Sequence, residues 1–196
     1  MTRIGRHISV GAAAVMAAAC SADNTAQRMP TEVRVPLFAK SAADNLGTHL
    51  IGDNENPPNA SPAQGQAIFR ISDDGSSVAY TLIAANINNA FMAHIHLAPV
   101  GVNGPIVVWL YPSTAPVPGP LGAGRFDGVL AQGTFTAANL VNVLQGHALA
   151  ELIAAMRSGG AYVNVHTNDG VTPTNTGPGD LPGGEIRGQL GTPGLH

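Results

Sequence analysis

Histidine is the side chain with the most chemistry to offer in this 196-residue chain, and two of its seven histidines stand two apart in Ala93-His94-Ile95-His96-Leu97. Side chains of a strand alternate between its two faces. His94 and His96 would therefore share one face, with Ala93, Ile95 and Leu97 on the other. A third histidine lies in Ala161-Tyr162-Val163-Asn164-Val165-His166-Thr167, where Val163 and Val165 point one way and Tyr162, Asn164 and His166 the other. The run Glu185-Ile186-Arg187-Gly188-Gln189-Leu190 repeats the pattern, with Glu185, Arg187 and Gln189 on its polar face. Laid side by side, these strands would present three imidazoles, a carboxylate and a guanidinium together.

Neutral imidazole is a good ligand for copper or zinc, and an H-x-H pair on one strand face offers two nitrogens at a workable separation. His94, His96 and His166 are thus the candidate metal ligands. His49, beside an expected strand, is the candidate fourth, and His147 is the remaining histidine of the domain. A competing reading has the three histidines hydrogen-bonded to Glu185, Asn164, Tyr162 and backbone groups. Such a network specifies sheet register without any ligand. Arg187 is open to two uses, an anion-binding role or, the favoured one, an ion pair with Glu185 or Asp169.

The elements that must position these residues are short strands. Val33 to Leu37 alternates as a first edge strand, and Thr48 to Gly52 reads as a second. Asp53 to Asn59 reads as an irregular loop, because its prolines and Asn/Asp residues break the ladder. Gln66 to Ile71, the turn at Ser72-Asp73-Asp74-Gly75 and Ser77 to Ile87 form the clearest hairpin. Strands follow at Phe91–Leu97, Ile106–Leu110, Gly128–Phe135, Tyr162–His166 and Glu185–Leu190. The proline-rich 112–124 segment and the 168–184 segment read as loops. Asn103 and its flanking glycines read as a turn. Thr136 is placed to cap a short helical segment reaching Leu144. In Ala148 to Ser158, Leu149, Leu152, Ile153 and Met156 recur at i, i+3, i+4, i+7 with Gly159 after them, a core-facing helix. Eight or nine strands with one or two helices make a mainly β domain, a Greek-key-like sandwich or a partly closed barrel.

Composition agrees. Charged residues make up 11% and aromatics 5%, with 24 Gly and 15 Pro, a balance that favours a turn-rich β domain over a helical bundle. The formal charge is −3; without residues 1–20, which carry Arg3 and Arg6, it is −5, from seven basic and twelve acidic groups. No basic stripe remains for nucleic acid. The chain lacks G-x-S-x-G, H-E-x-x-H and paired catalytic carboxylates, and Lys40 is its sole lysine. A binding module is the reading these absences favour.

The first twenty residues have the form of an export signal. Arg3 and Arg6 precede a 12-residue apolar stretch, Ile8 to Ala19, too short to span a bilayer as a helix. The sole cysteine follows in Ala17-Ala18-Ala19-Cys20-Ser21. This resembles a bacterial lipobox, with Ala17 where that pattern prefers Leu, and implies lipidation at Cys20. Ordinary signal cleavage is the alternative. Residues 21–32 read as a tether, 33–190 as the domain and 191–196 as a tail.

His94-Ile95-His96, Gly101-Val102-Asn103-Gly104-Pro105, Tyr162 to Thr167 and Gly184 to Gln189, with Glu55-Asn56-Pro57-Pro58 upstream, closely resemble the CHRD domain over roughly residues 33–190. The family, named for its occurrence in chordin, is common as a single module in exported bacterial proteins. The resemblance implies an extracellular β-fold. Ala98-Pro99 stands where Gly-Pro is usual, and the 112–120 and 168–183 loops are expanded. The order H-x-H, Val-His, then a late Arg is also similar to copper/zinc superoxide dismutase, in which such histidines hold copper and a late arginine guides the anion. Three functions follow: an exported, lipid-anchored module binding a metal ion or an envelope or extracellular protein; a copper-dependent redox enzyme; and a purely structural surface-assembly domain. Membrane contact is expected through the lipid anchor alone.

Overall fold

The computed structural model describes residues 45–113 and 116–191. The expected strand at 33–37, the export signal with Cys20 and the tether lie outside those residues. Among the described residues eight strands form one sheet: β1 (Asn45–Ile51), β2 (Gln64–Ile71), β3 (Val78–Asn88), β4 (Ala90–Leu97), β5 (Ile106–Tyr111), β6 (Arg125–Phe135), β7 (Ala161–Thr167) and β8 (Ile186–Gln189). The spatial order is β5-β4-β7-β8-β1-β2-β3-β6, and every neighbouring pair is antiparallel.

The two edges of this sheet approach each other. The Tyr80 hydroxyl on β3 donates to the Leu110 carbonyl on β5 at 2.8 Å, and Val141 N–H donates to Val107 O at 3.0 Å. The architecture is therefore the nearly closed barrel, in one continuous sheet rather than two packed ones. Phe69, Leu82, Ile95, Leu110, Val163, Val165 and Ile186 point inward and are shut off from solvent. Fully burying a side chain of this size stabilises by about 1.5–3 kcal/mol.

An α-helix, α1 (Leu149–Ser158), covers this core with Leu149, Leu152, Ile153 and Met156, and Gly159 caps it in the left-handed region (φ 81°). The stripe is the one its i, i+3, i+4, i+7 spacing required. The segment expected to run as a helix from Thr136 to Leu144 is instead two separate 3-10 turns, Ala137–Asn139 and Asn142–Leu144. Thr136 does cap the first, accepting from Ala138 N and closing a reciprocal pair with Asn139. Asn142 then takes a positive φ of 52°, which ends any continuous helix, and Val141 is extended and bonds to β5 instead.

Strand limits also differ from expectation at several ends. β1 runs from Asn45 and stops at Ile51, because Gly52 opens a 3-10 turn, Gly52–Asn54. β2 begins at Gln64 and β6 at Arg125, while β8 begins at Ile186, leaving Glu185 outside it. β7 is buried along its whole length. Its inner face meets the core, and its outer face lies under loops that carry the site.

Candidate metal centre

Antiparallel partners project to the same face, so the register of β4, β7 and β8 decides which side chains meet. His94 pairs with Asn164 and His96 with Tyr162, while Met92 pairs with His166. That sets His166 diagonally across from His94. On the other side of β7, Asn164 pairs with Arg187 and Tyr162 with Gln189. One outer face therefore carries His94, His96, Tyr162, Asn164, His166, Arg187 and Gln189, as the alternation in the sequence required.

The three imidazoles converge. One potential ligand nitrogen from each of His94, His96 and His166 lies within 4.8 Å of the others, and His94 Nδ1 is 3.2 Å from His166 Nε2. Metal–nitrogen bonds of about 2.0–2.1 Å bring such atoms to about 3–4 Å of one another. Binding would therefore draw the rings together by small rotations. His94 is fully buried, and His96 and His166 are only 7% and 6% exposed.

Two loops fix how the rings present their nitrogens. His96 Nδ1 lies 2.8 Å from the Gly104 carbonyl and His166 Nδ1 2.9 Å from the Pro182 carbonyl. A carbonyl oxygen only accepts, so each Nδ1 carries the proton and each Nε2 keeps its lone pair. This is the tautomer a metal requires, held by a backbone hydrogen bond behind the ligand. A Cβ on Gly104 would stand 2.1 Å from the Leu97 carbonyl oxygen, so only glycine lets that turn come close enough to offer its carbonyl to His96.

Burial disfavours the imidazolium form of all three. His94 is pushed down to about 2, by desolvation and then by His166 and His96. His166 is pushed down to about 4 by desolvation, against the bond to Pro182, and His96 is lowered mainly by burial. The cluster is thus uncharged at neutral pH. Two of its nitrogens, His94 Nε2 and His96 Nε2, are buried with no hydrogen-bond partner, as is Asn164 Oδ1 beside them. A purely structural network would satisfy such atoms, since each orphan costs about 1–3 kcal/mol.

Aromatic rings wall the cluster. Trp109 on β5 stands edge-on to His94, 4.3 Å between ring centroids, and Phe91 stands edge-on to His166 at 6.5 Å. Tyr162 stacks on His96, centroids 4.8 Å apart and planes within 9°. The Arg187 guanidinium carbon lies 3.4 Å from the centre of the same Tyr162 ring.

Several expected partnerships are corrected. Arg187, 1% exposed, pairs with neither Glu185 nor Asp169. It donates to Asn103 Oδ1 at 3.1 Å and to the Val102 and Pro99 carbonyls at 2.9 and 3.4 Å. Its donors thus brace the 99–103 turn, and Asn103, read from the sequence as a turn former only, is part of that brace. Its nearby carboxylate is Glu55, whose pKa is pushed up to about 7 by burial, against the attraction of Arg187 and a hydrogen bond from Asn164.

Glu185 does not reach the histidines. It accepts from the Ser61 hydroxyl, from the Thr167 hydroxyl and from Gly179 N–H, tying the 168–184 loop to the 59–61 segment. Gly184 just before it has φ 137°, and a Cβ there would stand 2.5 Å from Glu55 Oε1. The chain swings at that glycine, so Glu185 falls out of phase with Arg187. His49 is exposed on β1 and stands outside the three-histidine group, so the fold does not bring this expected fourth ligand to the other three. His147 is exposed and paired with Glu151.

Glu55 and Trp109 were not singled out by residue type or spacing. Glu55 carried a signal only through the Glu-x-Pro-Pro resemblance, and Trp109 sat unremarked in an apolar run.

No curated protein and no solved structure shows significant similarity to this chain. The sequence model of the CHRD domain, however, matches residues 46–190, which contain all of β2 to β8 and all of β1 but Asn45. The chain belongs to the CHRD domain family.

Proposed function

We propose that this CHRD domain is a metal-binding module that holds a copper or zinc ion on His94, His96 and His166. The observation that carries the reading is the pair of unpartnered buried nitrogens, His94 Nε2 and His96 Nε2, in a cluster where carbonyls behind His96 and His166 fix the Nδ1–H tautomer of each. Three neutral imidazoles suit both metals, and the general order of divalent affinities puts Cu²⁺ first. Burial of the cluster favours holding an ion over exchanging substrates on it, which supports a binding module ahead of a redox enzyme. The sequence pattern at the N-terminus supports export and anchoring through lipidated Cys20, so the module would work at the cell envelope or outside it, on a metal ion or an envelope or extracellular protein.

Two measurements test metal binding directly. An ion bound to the folded state alone stabilises it by RT ln(1 + [L]/Kd), about 2.7 kcal/mol at a hundredfold excess over Kd. Calorimetry should show a raised Tm with Cu²⁺ or Zn²⁺, and His166→Ala should lose the shift while its metal-free form still folds, because Val163 and Val165 keep the core side of β7 filled. Trp109 is the sole tryptophan, so Cu²⁺ at the adjacent His94 should quench the intrinsic fluorescence in wild type and not in His166→Ala. An unshifted wild-type transition at saturating metal contradicts the proposal.

The pH dependence has a definite sign. Folded His94 and His166 titrate at about 2 and about 4 against an ordinary 6.5. As pH falls below about 6.5 the unfolded chain takes up protons first, so the metal-free fold loses stability from there to about 4 through His166 and on toward about 2 through His94. Glu55 acts oppositely. Its proton is held up to about 7 in the fold against 4.5 when unfolded, so its contribution is lost as pH rises between those values. Urea unfolding against pH should therefore show a shallower acid limb in His166→Ala and a flatter neutral limb in Glu55→Gln. Identical profiles in all three proteins would contradict the buried neutral histidines.

Anchoring is tested by fractionation. Wild type should pellet with membranes and Cys20→Ser should be released or left unprocessed; a wholly soluble wild type means ordinary secretion.

A further inference from the structure

The charge around the three imidazoles bears on which ion they hold. Among the described residues the converging group is His94, His96 and His166, with no carboxylate or thiolate in it. Glu185, the acid next to Arg187 in sequence, is spent elsewhere, on the Ser61 and Thr167 hydroxyls and Gly179 N–H. Glu55 is held only partly ionised at neutral pH, because burial pushes its carboxyl up to about 7.

The fixed charge that does act on the cluster is positive. The Arg187 guanidinium carbon lies 3.4 Å from the centre of the Tyr162 ring, and the other face of that stack is His96, its ring centroid 4.8 Å from that of Tyr162. The guanidinium opposes protonation of His96, adding to the effect of burial. A second cation on the histidines meets the same field. Taking an ion out of water costs free energy that rises with the square of its charge, so an uncompensated dication is penalised about four times as heavily as a monocation. Neutral ligands beside a buried guanidinium give a dication no such compensation.

Ligand number and softness point the same way. Zn²⁺ takes four ligands, with water as the fourth in open sites. Here three nitrogens converge, on rings no more than 7% exposed and walled by Trp109, Phe91 and Tyr162, so water has little access to complete that shell. The residue paired with His166 across the strands is the half-buried Met92, which places a thioether residue, of the soft kind that suits Cu⁺, at that register position rather than an acid.

We propose that the histidine centre is selective for a soft monocation, Cu⁺, over Zn²⁺ and Cu²⁺, and holds it on three neutral imidazoles without a protein anion. The inference rests on the reading of these histidines as metal ligands and narrows it to one ion. Selectivity here comes from withheld negative charge.

The experiment uses the full chain carrying Cys20→Ser, which removes its sole thiol as a competing Cu⁺ ligand. Under anaerobic conditions Cu⁺, supplied as its acetonitrile complex, and separately Zn²⁺ and Cu²⁺ are titrated against chromophoric chelators of known affinity. Histidine ring NMR follows the diamagnetic Cu⁺ and Zn²⁺. Cu⁺ should bind at least about a thousandfold more tightly than Zn²⁺, and more tightly than Cu²⁺, as a charge-squared penalty requires. His166→Ala in the same background should lose the Cu⁺ site. Asn164→Asp, which puts a carboxylate on the residue paired with His94, should narrow the gap at least about tenfold by raising Zn²⁺ affinity more than that of Cu⁺. Zn²⁺ or Cu²⁺ bound as tightly as Cu⁺, and lost in His166→Ala, would overturn the selectivity while leaving the metal-binding reading intact. No ion bound at the histidines would overturn both. Cu⁺ affinity undiminished in His166→Ala, or an unchanged gap in a folded Asn164→Asp, would overturn the proposal as well. Should Asn164→Asp fail to fold, the ranking of the three ions on the Cys20→Ser chain decides.

Discussion

The register between β4 and β7 is the constraint on which the rest of this molecule depends. Because His94 pairs with Asn164 and Met92 with His166, the diagonal between the strands brings His94 Nδ1 to 3.2 Å from His166 Nε2. A one-residue slip would turn Val163 and Val165 outward and His166 into the core. The apolar inner face therefore enforces the geometry of the polar outer one. A hydrophobic requirement, distributed over the fully buried Ile95, Val163, Val165 and Ile186, thereby holds three imidazoles together. Neutral rings make this tolerable, because burial has already removed their charge.

Loops complete what the strands begin. The 99–104 turn offers the Gly104 carbonyl to His96, and the 168–184 loop offers the Pro182 carbonyl to His166. Each loop is itself pinned by a buried charge, the first by Arg187 and the second by Glu185. Breaking either buried network would leave an uncompensated charge, which is typically more damaging than the loss of a surface pair. Arg187, Tyr162 and His96 are in mutual ring contact or adjacent to it, so the brace and the candidate ligands form one rigid wall.

Much of this arrangement was legible in the sequence where a period of two governs. The faces of Ala93–Leu97 and Tyr162–His166, the hairpin of β2 and β3, and the stripe of α1 all follow from spacing alone. Reading failed where backbone torsion or distant contacts took over. Glu185 was assigned to the face of Arg187 by alternation, but the positive φ of Gly184 ends that alternation one residue too early. Glu55 sits in a loop with no periodicity, and its position depends on contact with β8, some 130 residues on in sequence, a separation of the kind seen between Asn54 and Arg187. His49 matched the expected strand, yet its own side chain faces solvent. The 136–144 segment showed a helix cap and then lost its helix to a left-handed asparagine.

The central claim is that His94, His96 and His166 ligate one ion. X-ray absorption at the metal edge of the copper- or zinc-loaded protein tests it most directly. The account expects three imidazole nitrogens at about 2.0–2.1 Å, with the outer-shell scattering of imidazole rings, and loss of that signature in His94→Ala. A first shell of oxygens without imidazole scattering, unchanged by that substitution, would contradict it.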